Sequence, residues 1–254
     1  MDEEKRADLI SHLSELRARI LRSVVYAAIG MTIVWFFYDP LYRFLTQPIT
    51  HALRAAHGEL IVTQFMEGFM VRFEISLVGG LIIAAPLIYY EVWAFIAPGL
   101  MGNERRAARP LVPISALLFV MGVALAYLIT EPSIQWLLSM NPPDTVARYQ
   151  LNDNLLLMMK FYLAFGLSFQ LPIVLVLLAQ IGIVNSRLLT TRWREATVII
   201  FVIAAIITPT WDPFTMTICA LPMVGLYFLT IGAVKLVERG KRRAARLAED
   251  SGAG

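Results

Sequence analysis

The chain has 254 residues, of which 58% are hydrophobic and 16% charged, with a net charge of +3 and a mean hydropathy of +0.65. Soluble domains are typically about 45–50% apolar and about 25% charged, so this apolar excess does not fit inside one globular core. These figures argue against a disordered chain, a secreted disulfide scaffold and a nucleic-acid-binding domain. They predict an integral membrane protein.

Residues 1–19 are predicted to form an amphipathic helix on the cytoplasmic interface, which then turns into the first span. Apolar residues recur there at spacings of four, three and four, at Leu9, Leu13, Leu16 and Ile20. The polar face presents His12, Glu15 and Arg19. From the spacing alone, a solvated face with an ordinary Glu15–Arg19 pair is the simpler interpretation. We read the first apolar segment as a retained span, because no cleavable signal pattern precedes it.

Six apolar segments are candidate spans, since about 20 residues of helix cross about 30 Å of hydrocarbon. They lie at 20–38, 71–96, 108–130, 154–181, 194–208 and 214–235. The fifth has 15 residues, about 22 Å of helix, and Pro222 interrupts the sixth. Pro86 and Pro172 should kink the second and fourth. The prediction is an all-α polytopic membrane protein of one domain, whose unequal helices form a curved shell with short helices five and six.

The distribution of basic residues predicts the orientation. A cytoplasmic N-terminus places 17 of the 22 Lys and Arg residues inside, many of them in a basic tail at 236–254. Cytoplasmic segments of membrane proteins carry such an excess. Both termini are therefore expected in the cytoplasm.

The sequence offers few groups for chemistry. Cys219 is the single cysteine, which excludes an intrachain disulfide and a cysteine-based metal site. All three histidines, His12, His51 and His57, fall outside the apolar segments. No imidazole is then available in the bilayer to activate a serine or hold a metal. We expect neither an enzyme nor a bound cofactor.

Several motifs are more specific than the composition. They are Ser11-His12-Leu13-x-Glu15-Leu16-Arg17-x-Arg19-Ile20, Gln47-Pro48, Ala85-Pro86, Glu91-Val92-Trp93-Ala94-Phe95-Ile96-Ala97-Pro98-Gly99-Leu100, Asn103-Glu104-Arg105-Arg106, Ala164 to Pro172, Thr208-Pro209 with Asp212, and Ala220-Leu221-Pro222. Over nearly the whole chain they resemble the TatC family, the signal-peptide receptors of the twin-arginine translocase. The resemblance implies six spans with both termini inside, in the bacterial plasma membrane.

The resemblance also implies a function. TatC proteins bind the Arg-Arg pair of export signal peptides, and TatA-type subunits are then recruited for export of folded cargo driven by the proton-motive force. Glu15 and Glu104 match the family's acidic site, with Phe95 beside it, and His12, Arg17 and Arg19 belong to the same motifs. A guanidinium matches a carboxylate bidentately, whereas Lys offers only a point charge. Glu104 also has a plainer interpretation, as a first-turn acidic residue after an Asn103 cap.

Other positions carry structural or partner roles by the same resemblance. Pro48 is expected to support an outer cap, and the resemblance implies structural roles also for Pro86, Pro172 and Asp212. The expected partners are TatA or TatB single-span helices, other TatC copies and membrane lipid, and no nucleic acid. We expect the partner helix to cover the short fifth helix, with contacts from Ile203, Ile206, Thr208, Met216 and Gln170.

Three residues depart from the family pattern. Gln170 is a neutral amide where relatives often carry glutamate, which puts a role for charge there in doubt. Glu91 is a carboxylate where relatives often have glutamine, and it is expected to reach the interface or pair with a basic residue. Met216 replaces a polar residue that in some relatives contacts partner helices.

Two other functions fit the composition. A small-solute transporter needs polar groups near the midplane, and the fourth span offers Ser168 and Gln170 but no internal repeat. Only the matched motifs argue against a purely structural scaffold. An intramembrane enzyme is weaker, because the segment Gly166 to Gln170 lacks the second glycine of a nucleophile turn and a histidine partner. Crosslinking to an Arg-Arg signal peptide, compared with its Lys-Lys version, separates the alternatives.

Overall fold

The computed structural model describes residues 2–55, 58–96, 110–142, 148–208 and 212–252. The helices are α1 (Asp2–Phe36), α2 (Tyr38–Ala55), α3 (Glu67–Ile96), α4 (Leu111–Leu138), α5 (Leu151–Ser168), α6 (Leu171–Gln180), α7 (Ser186–Thr191), α8 (Trp193–Ile207) and α9 (Pro213–Gly252). Two short strands, β1 (Glu59–Ile61) and β2 (Arg148–Gln150), pair in parallel.

Five helical segments are long and apolar enough to cross a membrane. They are Ile10–Phe36, Glu67–Ile96, Leu111–Leu138, Leu151–Gln180 and Pro213–Gly240. This confirms the prediction of an all-α polytopic membrane protein. The predicted fifth span corresponds to α8, whose 15 residues reach only about 22 Å. A sixth crossing by α8 therefore stays a prediction.

The N-terminal helix differs from the expected arrangement. The sequence predicts an interfacial helix that turns into the first span, whereas α1 is one continuous helix of 35 residues. The segment contains no proline, and Gly30 is its only glycine. Nothing in the local sequence therefore breaks the helix. Its length is about 52 Å, so its N-terminal turns extend beyond about 30 Å of hydrocarbon.

Two other predicted spans also have different limits. The fourth consists of α5 and α6, separated at Phe169 and Gln170, with Pro172 in the first turn of α6. A proline fits there because the first turn lacks intrahelical acceptors for its N–H groups. The sixth lies within the 40-residue α9, which continues through Pro222 and far beyond residue 235. No proline follows Pro222 to end it.

Helices that are not consecutive in the chain make many of the packing contacts. α1 packs mainly against α3, α3 contacts α4 and α5, and α9 contacts α6 and α8. The α1–α3 contact is closest at Gly30 and Gly80, where a Cβ on either residue would overlap backbone atoms of the other helix. Small residues allow such approach between membrane helices. The contact fixes where α1 crosses α3.

The end of the bundle at which α1 finishes is closed by a polar cap. α2 lies against α4, with the Tyr127 hydroxyl donating to the Phe44 carbonyl at 3.0 Å. Glu67 is buried at the start of α3 and accepts backbone N–H bonds from Thr63, Gln64 and Asn152. One carboxylate thus joins the loop before α3 to the start of α5.

Candidate functional site

A network of carboxylates and arginines lies at the other end of the bundle, where α1 begins and α3 ends. Glu15 and Arg19 are four residues apart, so they share one face of α1. Arg19 donates from Nε and Nη2 to Glu15 Oε1, at 3.0 and 2.5 Å. The third nitrogen, Nη1, donates to Glu91 Oε2 on α3 at 3.1 Å. A single guanidinium therefore bridges two carboxylates on two helices.

Glu91 is the buried member of this network, with its side chain 2% exposed. Arg22 Nη1 lies 3.4 Å from Glu91 Oε1, and the Tyr26 hydroxyl donates to the same oxygen at 3.4 Å. A carboxylate inside a membrane protein is costly unless charged or polar groups surround it. The row Arg19, Arg22 and Tyr26 on α1 supplies those groups at a spacing of three and four residues.

An aromatic pair adjoins the ion pairs. His12 and Phe95 stack with their ring centroids 4.5 Å apart and their planes at 22°. His12 precedes Glu15 by three residues and Phe95 follows Glu91 by four, so the rings occupy the next turn of the same two faces. Phe95 thus stacks on His12, one turn before Glu15 on α1, and its role in a signal-peptide site stays a prediction.

Below the network, α1 and α3 enclose a groove of about 500 Å³. Its walls are apolar apart from Arg19, Glu91 and Ser23, and they include Leu16, Ile20, Val24, Ile88 and Val92. Glu15 remains 34% exposed at the edge of this region. The arrangement offers a reachable carboxylate, an aromatic surface and an apolar groove together.

Two other predicted site residues lie elsewhere. Arg17 is exposed on α1. Glu104 lies outside the described residues, so its convergence with Glu15 stays a prediction. Among the residues that the structure describes, no group of three or more His, Cys, Asp or Glu side chains could hold a metal ion.

Comparison with known proteins identifies the family. Residues 11–222 match the family described as Sec-independent protein translocase protein (TatC). This chain belongs to the TatC family. The TatC protein of Koribacter versatilis is 36% identical over 97% of this chain and 92% of its own length. That of Aquifex aeolicus is 35% identical over 92% of this chain and 97% of its own length.

A solved structure agrees with the sequence comparison. A crystal structure described as the twin-arginine translocase receptor TatC superposes with a TM-score of 0.76 and 33% identity, covering 89% of this chain and 99% of its own. As a TatC family member with several spanning helices, this chain is a bacterial multi-pass membrane protein that serves protein transport and is not an enzyme.

The residues expected to have structural roles differ in how far they are buried. Pro48 is buried within α2, while Pro86 is exposed within α3. Asp212 is buried just before α9, where its Oδ1 accepts the backbone N–H of Thr215 at 2.7 Å. It therefore caps the start of α9.

The residues predicted to contact a partner helix do not share one surface. Ile206 is 71% exposed on α8, on the face that also carries Val198, Ile199 and Val202. Ile203 is half-buried on the neighbouring face, toward α6 and α9. Thr208 is 1% exposed, and its hydroxyl donates to the Ala205 carbonyl at 3.4 Å.

The remaining two predicted contact residues, Met216 and Gln170, are half-buried. Gln170 Nε2 donates across to the Ser115 carbonyl of α4 at 3.1 Å. It thereby helps to hold the break between α5 and α6 against α4.

The sequence analysis expected Glu91 to reach the interface or pair with a basic residue, and Glu91 does pair with Arg19 and Arg22, but its partners and its central place in the network were not predicted. A signal was present, because Arg19 and Arg22 stand one turn apart on α1 and Glu91 lies near the opposite end of an antiparallel neighbour. The register between α1 and α3, set by Gly30 and Gly80, was needed to bring them together.

Proposed function

We propose that this chain is the signal-peptide receptor of a twin-arginine translocase. It binds Arg-Arg signal peptides of folded proteins at the end of the bundle where Glu15 lies. The observation that carries the proposal is that Glu15, partly exposed, already holds a guanidinium from its own chain. A site that accepts one arginine has the chemistry to accept another.

In this proposal the two ligand arginines bind Glu15 and Glu104. Phe95 and His12 form an aromatic surface beside Glu15, on which a guanidinium or an apolar ligand side chain packs. Arg17 shapes the site, and Arg19 occupies Glu15 until a ligand arginine displaces it. The apolar stretch that follows the arginines in an export signal has a ready acceptor in the groove between α1 and α3.

The chain has both termini in the cytoplasm of a bacterium, in the plasma membrane, and residues 1–19 extend α1 to the inner interface. Six crossings follow if α8 spans, and the basic segment 236–254 ends the single membrane domain. This orientation agrees with the excess of Lys and Arg on that side.

The partner surface is α8. Its exposed row from Val198 to Ile206 is apolar and lies on a helix too short to span comfortably. We propose that a TatA or TatB helix covers it, with Ile206 in direct contact, Ile203 at the edge, and Thr208, Met216 and Gln170 supporting the surface from behind. Other TatC copies and lipid complete the surroundings, and the assembled complex exports folded cargo with the proton-motive force.

The solute-transporter alternative gains no support from the described side chains. Ser168 donates to the Ala164 carbonyl at 2.9 Å and Gln170 donates to Ser115. The two groups considered for a solute site, Ser168 and Gln170, therefore already have bonds within the protein, where a substrate site needs groups that bond the solute.

The test is signal-peptide binding in membranes. An Arg-Arg peptide with a photocrosslinker beside the arginines should label the wild-type chain, and its Lys-Lys version should not. Glu15→Gln should reduce labelling. Glu59→Gln is the matched control, because it removes an exposed carboxylate paired with Arg148 at the opposite end. Equal labelling by both peptides, or an effect of Glu59→Gln equal to that of Glu15→Gln, would refute the proposal.

A further inference from the structure

The carboxylate proposed to bind the ligand is not vacant. Arg19 makes two hydrogen bonds to Glu15 Oε1. A guanidinium arriving from a signal peptide must compete with this intramolecular partner, which is always present at high local concentration. Recognition therefore depends on where Arg19 goes when it leaves Glu15.

Glu91 is a second carboxylate to which Arg19 can turn. Arg19 Nη1 already donates to Glu91 Oε2 at 3.1 Å, so the guanidinium can turn fully toward Glu91 with a small side-chain movement. Glu91 is buried, which shields its charge from water and salt and strengthens its attraction for a cation. Glu15, by contrast, stays partly exposed.

We propose that Glu91 is a positioning residue that takes over Arg19 when a ligand guanidinium binds Glu15. This inference rests on the proposed function. Recognition is then an exchange of one guanidinium for another at Glu15, and Glu91 acts through Arg19 without touching the ligand.

The charges of the network support the exchange. Before binding, two carboxylates share the guanidinium groups of Arg19 and Arg22. After binding, Glu91 keeps Arg19 and Arg22, and Glu15 takes the ligand arginine. No carboxylate loses its cation, and the buried one never becomes unpaired, which is the expensive outcome in a membrane.

The exchange also favours arginine over lysine. The incoming group must replace the two hydrogen bonds that Arg19 makes to Glu15. A guanidinium presents several donors in a fixed plane, whereas an ammonium acts as a compact point charge. Lysine therefore replaces fewer of the lost bonds.

The experiment measures binding of a fluorescent Arg-Arg signal peptide to the full chain in lipid nanodiscs. Glu91→Gln leaves Arg19 with Glu15 as its carboxylate partner in the network, and we expect about three- to tenfold weaker binding. Arg19→Gln removes the competitor, and we expect binding at least as tight as wild type. The double variant should match Arg19→Gln, so the second substitution rescues the first.

Rescue separates positioning from a purely structural role. If Glu91→Gln merely disturbed the packing of α1 on α3, removing Arg19 would not restore binding. Tyr26→Phe is the matched control, because it removes a neutral donor to Glu91 and leaves both ion pairs of Arg19 in place; its binding should equal wild type.

Three results would overturn the exchange: normal binding by Glu91→Gln, weak binding by the double variant, or weak binding by Arg19→Gln. If the proposed function itself is wrong, the result is different: Glu15→Gln would bind the peptide as well as wild type does. If Glu15→Gln loses binding while Glu91→Gln keeps it, the receptor function stands and only the exchange is wrong.

Discussion

The contact between α1 and α3 and the surface of α8 use apolar helices in opposite ways. α1 and α3 meet backbone to backbone at Gly30 and Gly80, and polar groups lock their ends together. On α8 only Ile200 and Ala204 are buried, while a full row of branched apolar side chains stays exposed.

The comparison shows two arrangements of apolar helix surface, one packed in a fixed register and one left exposed. Ion pairs between two helices need a fixed register, and a glycine contact provides it by limiting the approach to one geometry. A surface that binds a helix from another subunit needs no such fixed register. It needs a smooth row of apolar side chains that no helix of its own chain covers. In a membrane, such a row is stable against lipid until a better-packed partner replaces the lipid.

The largest effect should come from breaking the glycine contact. Gly80→Leu places a side chain against the Met31 and Gly30 backbone, which has no flexible atoms to yield. We expect a loss of about 3 kcal/mol or more of stability, measured as loss of folded protein in membranes. Gly225→Leu is the control, since its Cβ meets nothing within 4 Å. Equal loss in both variants would contradict a special contact at Gly80.

The next effect concerns the proposed acidic site. Glu15→Gln and Glu104→Gln should each weaken signal-peptide binding about tenfold, because one charge-assisted bond is worth about 1.5–3 kcal/mol and water reduces it. Glu104→Lys should be worse, since it opposes the ligand arginine. Binding to membranes containing each variant is the measurement, with insertion checked by protease protection. Unchanged binding by the Gln variants and their double variant would remove the acidic site.

Individual residues show which features of the fold and site can be predicted from the sequence. The apolar runs predict the spanning helices, and the motifs predict the family and the pairing of Glu15 with Arg19, because four-residue spacing is local. Glu91 meets Arg19 only through the register of α1 on α3, which depends on a backbone contact between residues 50 positions apart. The sequence could not predict the burial of Thr208 either, because the lipid-facing and protein-facing sides of a membrane helix are both apolar.

A smaller effect tests α8. Cysteine at Ile206 should crosslink to a cysteine in a co-expressed TatA or TatB helix, and cysteine at Ile203 should do so less efficiently because that side chain is half-buried. Leu128→Cys on α4, also strongly exposed, controls for random contact in the membrane. If Leu128→Cys gives the same yield as Ile206→Cys, α8 is not a selective docking surface.

The smallest effect is expected at Thr208. Its hydroxyl bonds within its own helix at 3.4 Å, and hydrogen bonds in membrane proteins average about 0.6 kcal/mol. Thr208→Val keeps the shape and should change stability and the Ile206→Cys crosslink only slightly. A large drop in crosslinking with stability preserved would instead assign the Thr208 hydroxyl to the partner helix.

The glycine contact has a mechanical consequence. Because α1 cannot approach or slide past α3 at Gly30, relative motion is confined to the angle at which they cross, and each helix acts as a lever about that point. Glu15 lies 15 residues from Gly30, about 22 Å along the helix. A change of about 5° in the crossing angle therefore moves Glu15 by about 2 Å, more than a hydrogen bond tolerates. The ion pairs of Arg19 and Arg22 with Glu91 join α1 to α3, so they hold this crossing angle, whereas the Arg19–Glu15 pair lies within α1 and does not.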